Sequence, residues 1–398
     1  MSQPKQIRAL YSFPHKIGAA RICHTAWQQV NGVSEAGARV QVHASSFQRA
    51  FPPEVEIRPT LARGRVRIPY KLIGSKRAFA LHDRIVARRL EKLAGQVDIV
   101  HTWPMGALET LKTANRLGIA TVLERPNTHT RFAYEVVKKE CERLGVALPA
   151  NHEHAYQQDV LMKEEAEFRL ATRLLCPSDF VARTFIDLGF PSKQLGRHRY
   201  GYDGSTYTPS NKPRGTKIGL TMLFVGVCAV RKGLHFALEA WLKSPASLTG
   251  TFMIAGEFLP AYKEKLGPLL AHPSVQVLGH RTDIPELMRE NDVLVLPSIE
   301  EGSALVTSEA RGSGCVLLVS EAAGAICSHM DNALVHAVGD VAALSQHMTM
   351  LNDDRVLLEK MRASSLRTIN EITWTAAGKI LLDVYRETIE MKKREMRG

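Results

Sequence analysis

The sequence predicts an α/β protein built from two doubly wound halves, each a parallel sheet covered by helices. Short β-branched runs alternate with longer amphipathic stretches, which is typical of such sheets. The 398 residues are more than one ordinary domain needs. Hydrophobic residues at 45% and charged residues at 23% are ordinary for a compact enzyme and exclude a disordered or fibrous chain.

The predicted strands fall into two series. The first series is 7–11, 40–43, 98–101, 120–123 and 173–176. The second series is 220–225, 252–255, 275–278, 293–296 and 316–319. Between them, segment 203–217 contains two prolines and two glycines and is typical of a linker.

These series predict a first domain over residues 1–205 and a second over 206–374. The helical pattern near 375–398 is predicted to cross back onto the first domain. Ligands of doubly wound sheets bind beyond the carboxyl ends of the strands, where the strand order switches. We therefore expect the functional residues to follow strand ends, in a cleft that both domains share.

Export and membrane insertion are not expected. The N-terminal residues lack the apolar core of a signal peptide, and no apolar run approaches the roughly 20 residues of a membrane span. The six cysteines form no Cys-x-x-Cys pair and no zinc-ligand grouping, so we expect reduced thiols in a cytoplasmic protein.

The formal charge of +12 is concentrated between Arg58 and Lys92, a stretch with a net charge of +9. Within it, Arg77, Arg84 and Arg88 share one face of a predicted amphipathic helix. This pattern is typical of a solvated helix face, and the alternative is attraction to anionic lipid or an acidic acceptor. No aromatic and basic interleaving or recognition module accompanies the charge, so nucleic acid is not an expected partner.

The loop that follows the strand at 220–225 contains Arg231 and Lys232. It resembles a nucleoside triphosphatase P-loop, but Arg231 and Gly233 stand where that loop has Gly before its Lys and Ser or Thr after it. Kinase or ATPase chemistry is therefore disfavoured. An Arg-Lys pair at a strand end still suits a diphosphate, because Arg offers a planar fork and Lys a mobile charge.

Two glutamates follow the strand at 293–296. Glu301 precedes a helix that is predicted to open at Gly302 and Ser303 and to carry Glu309 in its second turn. Free amides at Ser303 and Ala304 would add a neutral anion site to the two cations. The carboxylates would reach different parts of one extended ligand.

These motifs resemble the retaining glycosyltransferases of family 4, which have the GT-B fold. The family signature is two glutamates separated by seven residues and followed by Ala, and Glu301, Glu309 and Ala310 match it. Further segments match the family and extend the resemblance over most of the chain. They are Gly226 with 231–233, 254–256, 277–281, 292–298, 176–181 and 200–203.

The resemblance implies a donor site. Arg231 and Lys232 would hold the donor diphosphate, Glu309 would accept hydrogen bonds from the ribose, and Glu301 would contact the donor sugar. The remaining residues that it places around the donor are Gly18, Gly226, His280, Arg281, Gly302, Ser303 and Ala304. Ala19 stands where the family usually has the second glycine of a pair.

Three residues of the first half are candidates for contact with the acceptor. His129 matches a histidine that many family members place beside the reacting sugar, although a lone histidine is more often structural. His101 and Trp103 come after Asp98, Ile99 and Val100, at the end of the strand predicted at 98–101. The indole would either stack on a sugar or cap the core.

The implied reaction moves a sugar, with retention and without a metal or other cofactor, from a nucleotide-diphosphate sugar to a hydroxyl of a glycan or glycolipid. The residues that would catalyse this transfer are Arg231, Lys232, Glu301 and His129. Cell-surface polysaccharide or lipopolysaccharide synthesis, at the cytoplasmic face of the inner membrane, is the expected setting. The alternatives are a non-catalytic partner subunit that binds nucleotide sugars, and an epimerase or phosphorylase of the same fold.

Overall fold

The structure is a computed structural model that describes residues 6–63, 66–67, 73–210 and 219–397. The chain forms two compact units. The first unit comprises Met1–Pro126, Gln157–Tyr200 and Trp374–Gly398. The second comprises Asn127–Tyr156 and Gly201–Thr373. The predicted boundary at residue 205 assigned Asn127–Tyr156 to the first domain, whereas the structure packs this segment with the second unit. Residues 211–217 of the expected linker lie outside the described residues.

The elements up to residue 200 are as follows. The strands are β1 (Arg8–Ile17), β2 (Arg39–Phe47), β3 (Glu56–Pro59), β4 (Ala62–Arg63), β5 (Val66–Arg67), β6 (Ile99–Thr102), β7 (Ala120–Glu124), β8 (Arg173–Cys176) and β9 (Leu195–Arg197). The helices are α1 (Ile22–Glu35), α2 (Ser75–Lys92), α3 (Leu108–Arg116), α4 (Thr130–Leu144), α5 (Gln158–Leu170) and α6 (Asp179–Ile186).

The first unit is built on a seven-stranded parallel sheet with the order β3-β2-β1-β6-β7-β8-β9. The predicted strands of this half are all present. Strands β6 and β7 are buried along their whole length, as expected when helices cover both faces of a parallel sheet. Strands β4 and β5 form a separate antiparallel pair.

The remaining elements complete the second unit and end in a long helix. The strands are β10 (Thr221–Val225), β11 (Thr251–Ala255), β12 (Val275–Gly279), β13 (Val293–Leu296), β14 (Val316–Ser320) and β15 (Ala333–His336). The helices are α7 (Leu234–Lys243), α8 (Ala246–Thr249), α9 (Pro260–Leu270), α10 (Ile284–Glu290), α11 (Leu305–Gly312), α12 (Val341–Asp353), α13 (Arg355–Arg367) and α14 (Trp374–Glu395).

The second sheet has six parallel strands in the order β12-β11-β10-β13-β14-β15. The chain leaves β10 toward β11 on one side and returns on the other side as β13, so the strand order switches between β10 and β13. In doubly wound sheets the carboxyl ends of strands at such a switch form the ligand-binding edge. The segments with Arg231 and Glu301 follow β10 and β13, respectively, and therefore meet at this edge.

Helix α14 packs against α1 within the first unit. The contact depends on two glycines, because a Cβ on Gly378 would lie 2.1 Å from the carbonyl carbon of Gly32. A Cβ on Gly32 would lie 2.6 Å from the carbonyl oxygen of Trp374. The two helix backbones thus approach more closely than any larger residue would permit.

Helix α2 carries the described part of the basic stretch. Arg77, Arg84 and Arg88 are exposed on one side of this helix, while Val86 and Leu90 are buried on the other. The amphipathic pattern predicted from the sequence is therefore confirmed. Positions 64–65 and 68–72 of the stretch lie outside the described residues.

Candidate active site

The turn after β10 is held against the end of β13 by glycines. Gly233 has φ of 67° and a Cβ there would lie 1.9 Å from the carbonyl oxygen of Pro297. A Cβ on Gly256 would lie 1.8 Å from the carbonyl oxygen of Gly226. The amide of Ile299 donates to the carbonyl of Arg231 over 2.8 Å. These close backbone contacts fix the short 3-10 turn that presents Arg231.

Both cations of this turn contact one carboxylate. The guanidinium of Arg231 and the ammonium of Lys232 each contact Oε1 of Glu301. The Glu301 side chain is only 9% exposed. Burial opposes its ionisation, but the attraction of Arg231 and Lys232 prevails and lowers its pKa. The structure thus brings together three residues that the sequence predicted to share a site.

The pKa of Lys232 is also lowered. Burial is the main cause, and the neighbouring charge of Arg231 acts in the same direction, while Glu301 partly compensates. Arg231, in contrast, has its pKa raised, since the charges of Glu301 and Glu300 outweigh the effect of burial. A group that brings additional negative charge to this turn would therefore stabilise both cations.

Glu300 is a member of the site that the sequence reasoning missed. Its side chain is fully buried and accepts hydrogen bonds from the Thr128 amide over 3.2 Å, the Thr128 hydroxyl over 2.8 Å and His154 Nε2 over 3.0 Å. Its Oε2 lies 3.9 Å from Arg231 Nη1. Burial raises the pKa, but the bond from His154 and the charge of Arg231 bring it to about 2.

Glu300 therefore joins segment Asn127–Tyr156 to the turn after β10. The acidic pair at positions 300 and 301 was visible in the sequence, but its partners Thr128 and His154 are more than 140 residues distant. Only the fold shows which glutamate meets which partner.

Helix α11 begins at Leu305, two residues after the predicted start at Ser303. The prediction that two amides are free there is wrong for Ala304, whose N–H donates to the carbonyl of Ala323 over 3.1 Å. This bond ties Ala304 to the segment after β14, directly before the helix begins. Gly302 and Ser303 precede the helix, with a bend at Gly302.

Glu309 lies in the second turn of α11, as predicted. Burial raises the pKa of its carboxyl to about 7, and the negative charge of Asp203 adds to this effect. A hydrogen bond with the hydroxyl of Tyr207 works in the opposite direction. Glu309 is therefore a carboxyl that changes charge near neutral pH.

The residues that the resemblance assigned to the nucleobase and to a phosphate lie in loops. His280 and Arg281 are exposed after β12, and the Nε of Arg281 donates to Asp283 over 2.8 Å. Gly18 follows β1 in the first unit with φ of 82°, and its carbonyl accepts from Arg49 Nε over 3.1 Å. Their contacts with a nucleotide stay predictions.

His129 caps α4, within the second unit rather than the first. Its Nδ1 accepts from the amide of Arg131 over 3.2 Å, and its side chain is buried. This contact is the structural role that a lone histidine often has. A contact between His129 and a reacting sugar stays a prediction.

His101 and Trp103 require a correction. Both side chains are buried in the core of the first unit, where His101 Nδ1 lies 2.7 Å from the Tyr385 hydroxyl and Trp103 Nε1 donates to Tyr11 over 2.7 Å. The rings are enclosed by strand and helix side chains, so they offer no surface to an acceptor. The alternative that Trp103 caps the core agrees with its burial.

The first unit also contains a buried polar cluster that the sequence did not indicate. Glu124 is fully buried and contacts His198 Nε2 at 2.8 Å, Gln29 Nε2 at 2.9 Å and the Tyr200 hydroxyl at 2.8 Å. His101 Nε2 lies 3.4 Å away. Burial would raise the pKa of Glu124, but the two histidines reverse this and lower it. The cluster pairs a carboxylate that would otherwise be costly to bury.

Two further observations concern the described residues alone. No group of three or more His, Cys, Asp or Glu side chains among them is arranged to hold a metal ion. None of the helices in the described ranges combines the length and the apolar composition that crossing a bilayer requires.

Part of the second half is similar to a known family. Residues 219–354 match the family model described as glycosyl transferases group 1. We call residues 219–354 the group 1 segment. The group 1 segment includes β10 to β15 and every residue of the Arg231, Lys232 and Glu301 cluster.

One protein with a similar segment comes from Escherichia coli and is named UDP-Gal:alpha-D-GlcNAc-diphosphoundecaprenol alpha-1,3-galactosyltransferase. It is 34% identical over 84 residues, which are 20% of this chain and 21% of the relative. The match thus spans about a fifth of the relative's length.

Two solved structures resemble nearly the whole chain. Sucrose-phosphate synthase from Thermosynechococcus elongatus has a TM-score of 0.67 at 16% identity, covering 97% of this chain and 100% of its own. The HepE protein of Anabaena, solved with UDP and glucose, has a TM-score of 0.63 at 15% identity, covering 96% and 100%. These likenesses show the GT-B fold, with two Rossmann-like domains.

Proposed function

We propose that this protein is a glycosyltransferase that moves a sugar from a UDP-sugar to a hydroxyl of a lipid-linked glycan. The observation that carries the proposal is the buried cluster of Arg231, Lys232 and Glu301, which lies at the strand-order switch of the group 1 segment. Two adjacent cations at the carboxyl edge of a doubly wound sheet suit a diphosphate.

The donor would displace Glu301 from the two cations. A diphosphate offers more acceptor oxygens and more negative charge than one carboxylate, so Arg231 and Lys232 would exchange partners when it binds. The released Glu301 carboxylate would then accept hydrogen bonds from the hydroxyls of the donor sugar. Glu300 would keep Arg231 oriented during this exchange, because its own partners Thr128 and His154 are not donor ligands.

The same groups account for the chemistry. When the sugar leaves, negative charge grows on the diphosphate, and fixed cations stabilise the transition state more than the ground state. We propose that Arg231 and Lys232 supply this charge without a metal ion. We further propose transfer with retention at the anomeric carbon, as the family resemblance implies, with His129 beside the reacting sugar.

The choice of UDP and of a lipid-linked acceptor is supported by the name of the Escherichia coli relative, whose donor is UDP-Gal and whose acceptor is linked to diphosphoundecaprenol. The exposed arginines of α2 fit an anionic membrane surface, where such acceptors reside. We therefore propose that the enzyme works at the cytoplasmic face of the inner membrane in the synthesis of a cell-surface glycan.

Thermal unfolding of the full chain with UDP, GDP or ADP tests the donor assignment. Ligand binding to the native state raises the apparent melting temperature, and we expect UDP to raise it most. A larger rise in melting temperature with GDP or ADP would show that the donor nucleotide is not the proposed UDP. A flat response to all of them would contradict a nucleotide-sugar site. A non-catalytic binding subunit would respond to UDP yet transfer no sugar from labelled UDP-sugars to membrane-extracted lipid acceptors.

A further inference from the structure

Helix α4 and the segment after it enclose a cavity of about 750 Å³ within the second unit. This volume is in the range of about 300–1,000 Å³ that small-molecule sites have. The apolar part of its lining includes Tyr134, Cys141, Val146, Leu148 and Tyr156. Tyr156 is 65% exposed, and its ring lies 5.5 Å from that of Tyr134, at 67°. An aromatic surface is therefore available to a ligand.

His154 provides a directed polar group in the same lining. Its side chain is 5% exposed, and its Nε2 bonds to Glu300 Oε2 over 3.0 Å. The other nitrogen, Nδ1, is buried and has no hydrogen-bond partner among the described residues. The nearest carboxylate oxygen, from Glu153, lies 3.6 Å from Nδ1, which is beyond hydrogen-bond length.

The contact with Glu300 leaves the other ring nitrogen for a ligand. His154 Nε2 already bonds to the Glu300 carboxylate, so Nδ1 is the ring nitrogen that can bond a molecule in the cavity. A hydroxyl group both donates and accepts hydrogen bonds, so it suits this nitrogen.

The charged residues of the lining balance one another. The lining has two basic side chains, Arg131 and Lys138, and two acidic ones, Glu135 and Glu142. Lys138 pairs with Glu142 over 3.6 Å. Such a balanced rim gives no net attraction for an anion such as a phosphate. It suits an uncharged ligand whose hydroxyls both donate and accept.

We propose that this cavity binds a sugar ring of the acceptor, with one apolar face against Tyr156 and one hydroxyl hydrogen-bonded to His154 Nδ1. This inference rests on the proposed function and names the part of the second unit that would recognise the acceptor. The cavity adjoins the proposed donor site, because His154 holds Glu300 and the preceding residue, Glu153, lies 3.7 Å from the Arg231 Nε.

The binding test uses the full chain and methyl α-glycosides of glucose, galactose and N-acetylglucosamine as probes, followed by saturation-transfer NMR. We expect at least one glycoside to bind, and Tyr156→Ala and His154→Gln each to weaken it about tenfold, the effect of one lost contact of this kind. Gln keeps a nitrogen near the Nε2 position for Glu300 while it removes the ring nitrogen Nδ1. Tyr156→Phe should retain binding, since it keeps the ring.

Leu248→Ala is the matched control, because Leu248 is 83% exposed and is not among the cavity residues. It should leave glycoside binding unchanged. Farnesol, an isoprenoid without a sugar, tests the rival occupant. Farnesol binding without glycoside binding would overturn the inference. Glycoside binding that neither Tyr156→Ala nor His154→Gln weakens would also overturn it.

The same samples separate this inference from the proposed function through UDP binding, measured by calorimetry. UDP binding with no glycoside binding would overturn the acceptor cavity and leave the donor site standing. Glycoside binding that depends on Tyr156 and His154, with no UDP binding, would support the cavity and overturn the glycosyltransferase assignment.

Discussion

The ammonium group of Lys232 contacts the carboxylate of Glu301, and both side chains are almost completely buried. The glutamate thus pairs with the same cation that a donor diphosphate would need. Because Arg231 contacts the same carboxylate oxygen, one acidic group neutralises two candidate phosphate ligands. Donor binding is therefore expected to be an exchange of anions rather than an addition of charge.

Replacing the two cations should abolish donor binding. Arg231→Ala with Lys232→Ala removes two charge-assisted contacts, and we expect UDP affinity to fall about 100-fold or more. Isothermal titration calorimetry with UDP measures this directly. Lys265→Ala, which removes one exposed cation of α9, is the control and should bind UDP normally. Unchanged UDP affinity in the double variant would place the donor elsewhere.

Glu301→Gln should separate nucleotide binding from transfer. Without the competing carboxylate, free UDP should bind several-fold more tightly, while sugar transfer should fall because the sugar hydroxyls lose their acceptor. The unliganded variant should also lose about 3 kcal/mol of stability, since two buried cations lose their common partner, and UDP should restore part of it. Calorimetry with UDP, transfer assays and urea unfolding provide the three measurements. Weaker UDP binding would contradict the exchange.

Much of the fold was predictable because its strands are continuous apolar runs separated by amphipathic helices. The sequence placed Arg231 and Glu301 after predicted strands and in one site, and the fold shows that these strands are neighbours at the switch in strand order. Helix α11 was less predictable, because its start depends on the bond from Ala304 to Ala323, which no local pattern indicates.

The functions of individual histidines could not be predicted from sequence. His101 lies at the end of a predicted strand, yet its ring faces the core and contacts Glu124 and Tyr385. His154 belongs to no recognised motif, yet it holds Glu300. The partners Tyr385 and Glu300 lie far along the chain from these histidines. The packing of distant elements therefore decides whether each ring is structural or accessible.

The raised pKa of Glu309 predicts a pH-dependent donor affinity. Its pKa is about 7, so the carboxylate that would accept ribose hydrogen bonds forms only as the pH rises through neutrality. UDP affinity should therefore increase from about pH 6 to about pH 8 in the native protein. Glu309→Gln should flatten this dependence, as measured by calorimetry across the range. A native profile that stays flat would argue against a ribose contact from Glu309.

The same group affects stability with a defined sign. The folded-state pKa of Glu309 lies above the usual value of a glutamate, so the folded protein binds the proton more tightly than the unfolded chain. The stability from this group is fully present below the unfolded pKa and is lost as the pH rises toward about 7. Glu309→Gln should therefore lose less stability than the native protein between about pH 5 and about pH 7, in urea unfolding.

The polar cluster around Glu124 should contribute strongly to the stability of the first unit. Glu124→Gln keeps the size but replaces one acceptor with a donor, which then faces the donors of His198, Gln29 or Tyr200. We expect a loss of about 2–4 kcal/mol in the free energy of unfolding. Glu91→Gln, on the surface, should change it by less than about 0.5 kcal/mol. Equal effects of the two substitutions would show that the buried cluster is not stabilising.

The exposed arginines of α2 should decide membrane attachment. Each basic residue near an anionic surface contributes about 1 kcal/mol, so Arg77→Gln, Arg84→Gln and Arg88→Gln together should reduce binding about 100-fold. Flotation with vesicles of phosphatidylglycerol and phosphatidylcholine measures the bound fraction, which should fall as salt rises. The matched control neutralises Lys392, Lys393 and Arg394 at the end of α14, removing the same charge from another helix. If both triple variants lose binding equally, net charge rather than the α2 face attracts the membrane. If the native protein fails to float with anionic vesicles, the proposed surface is wrong.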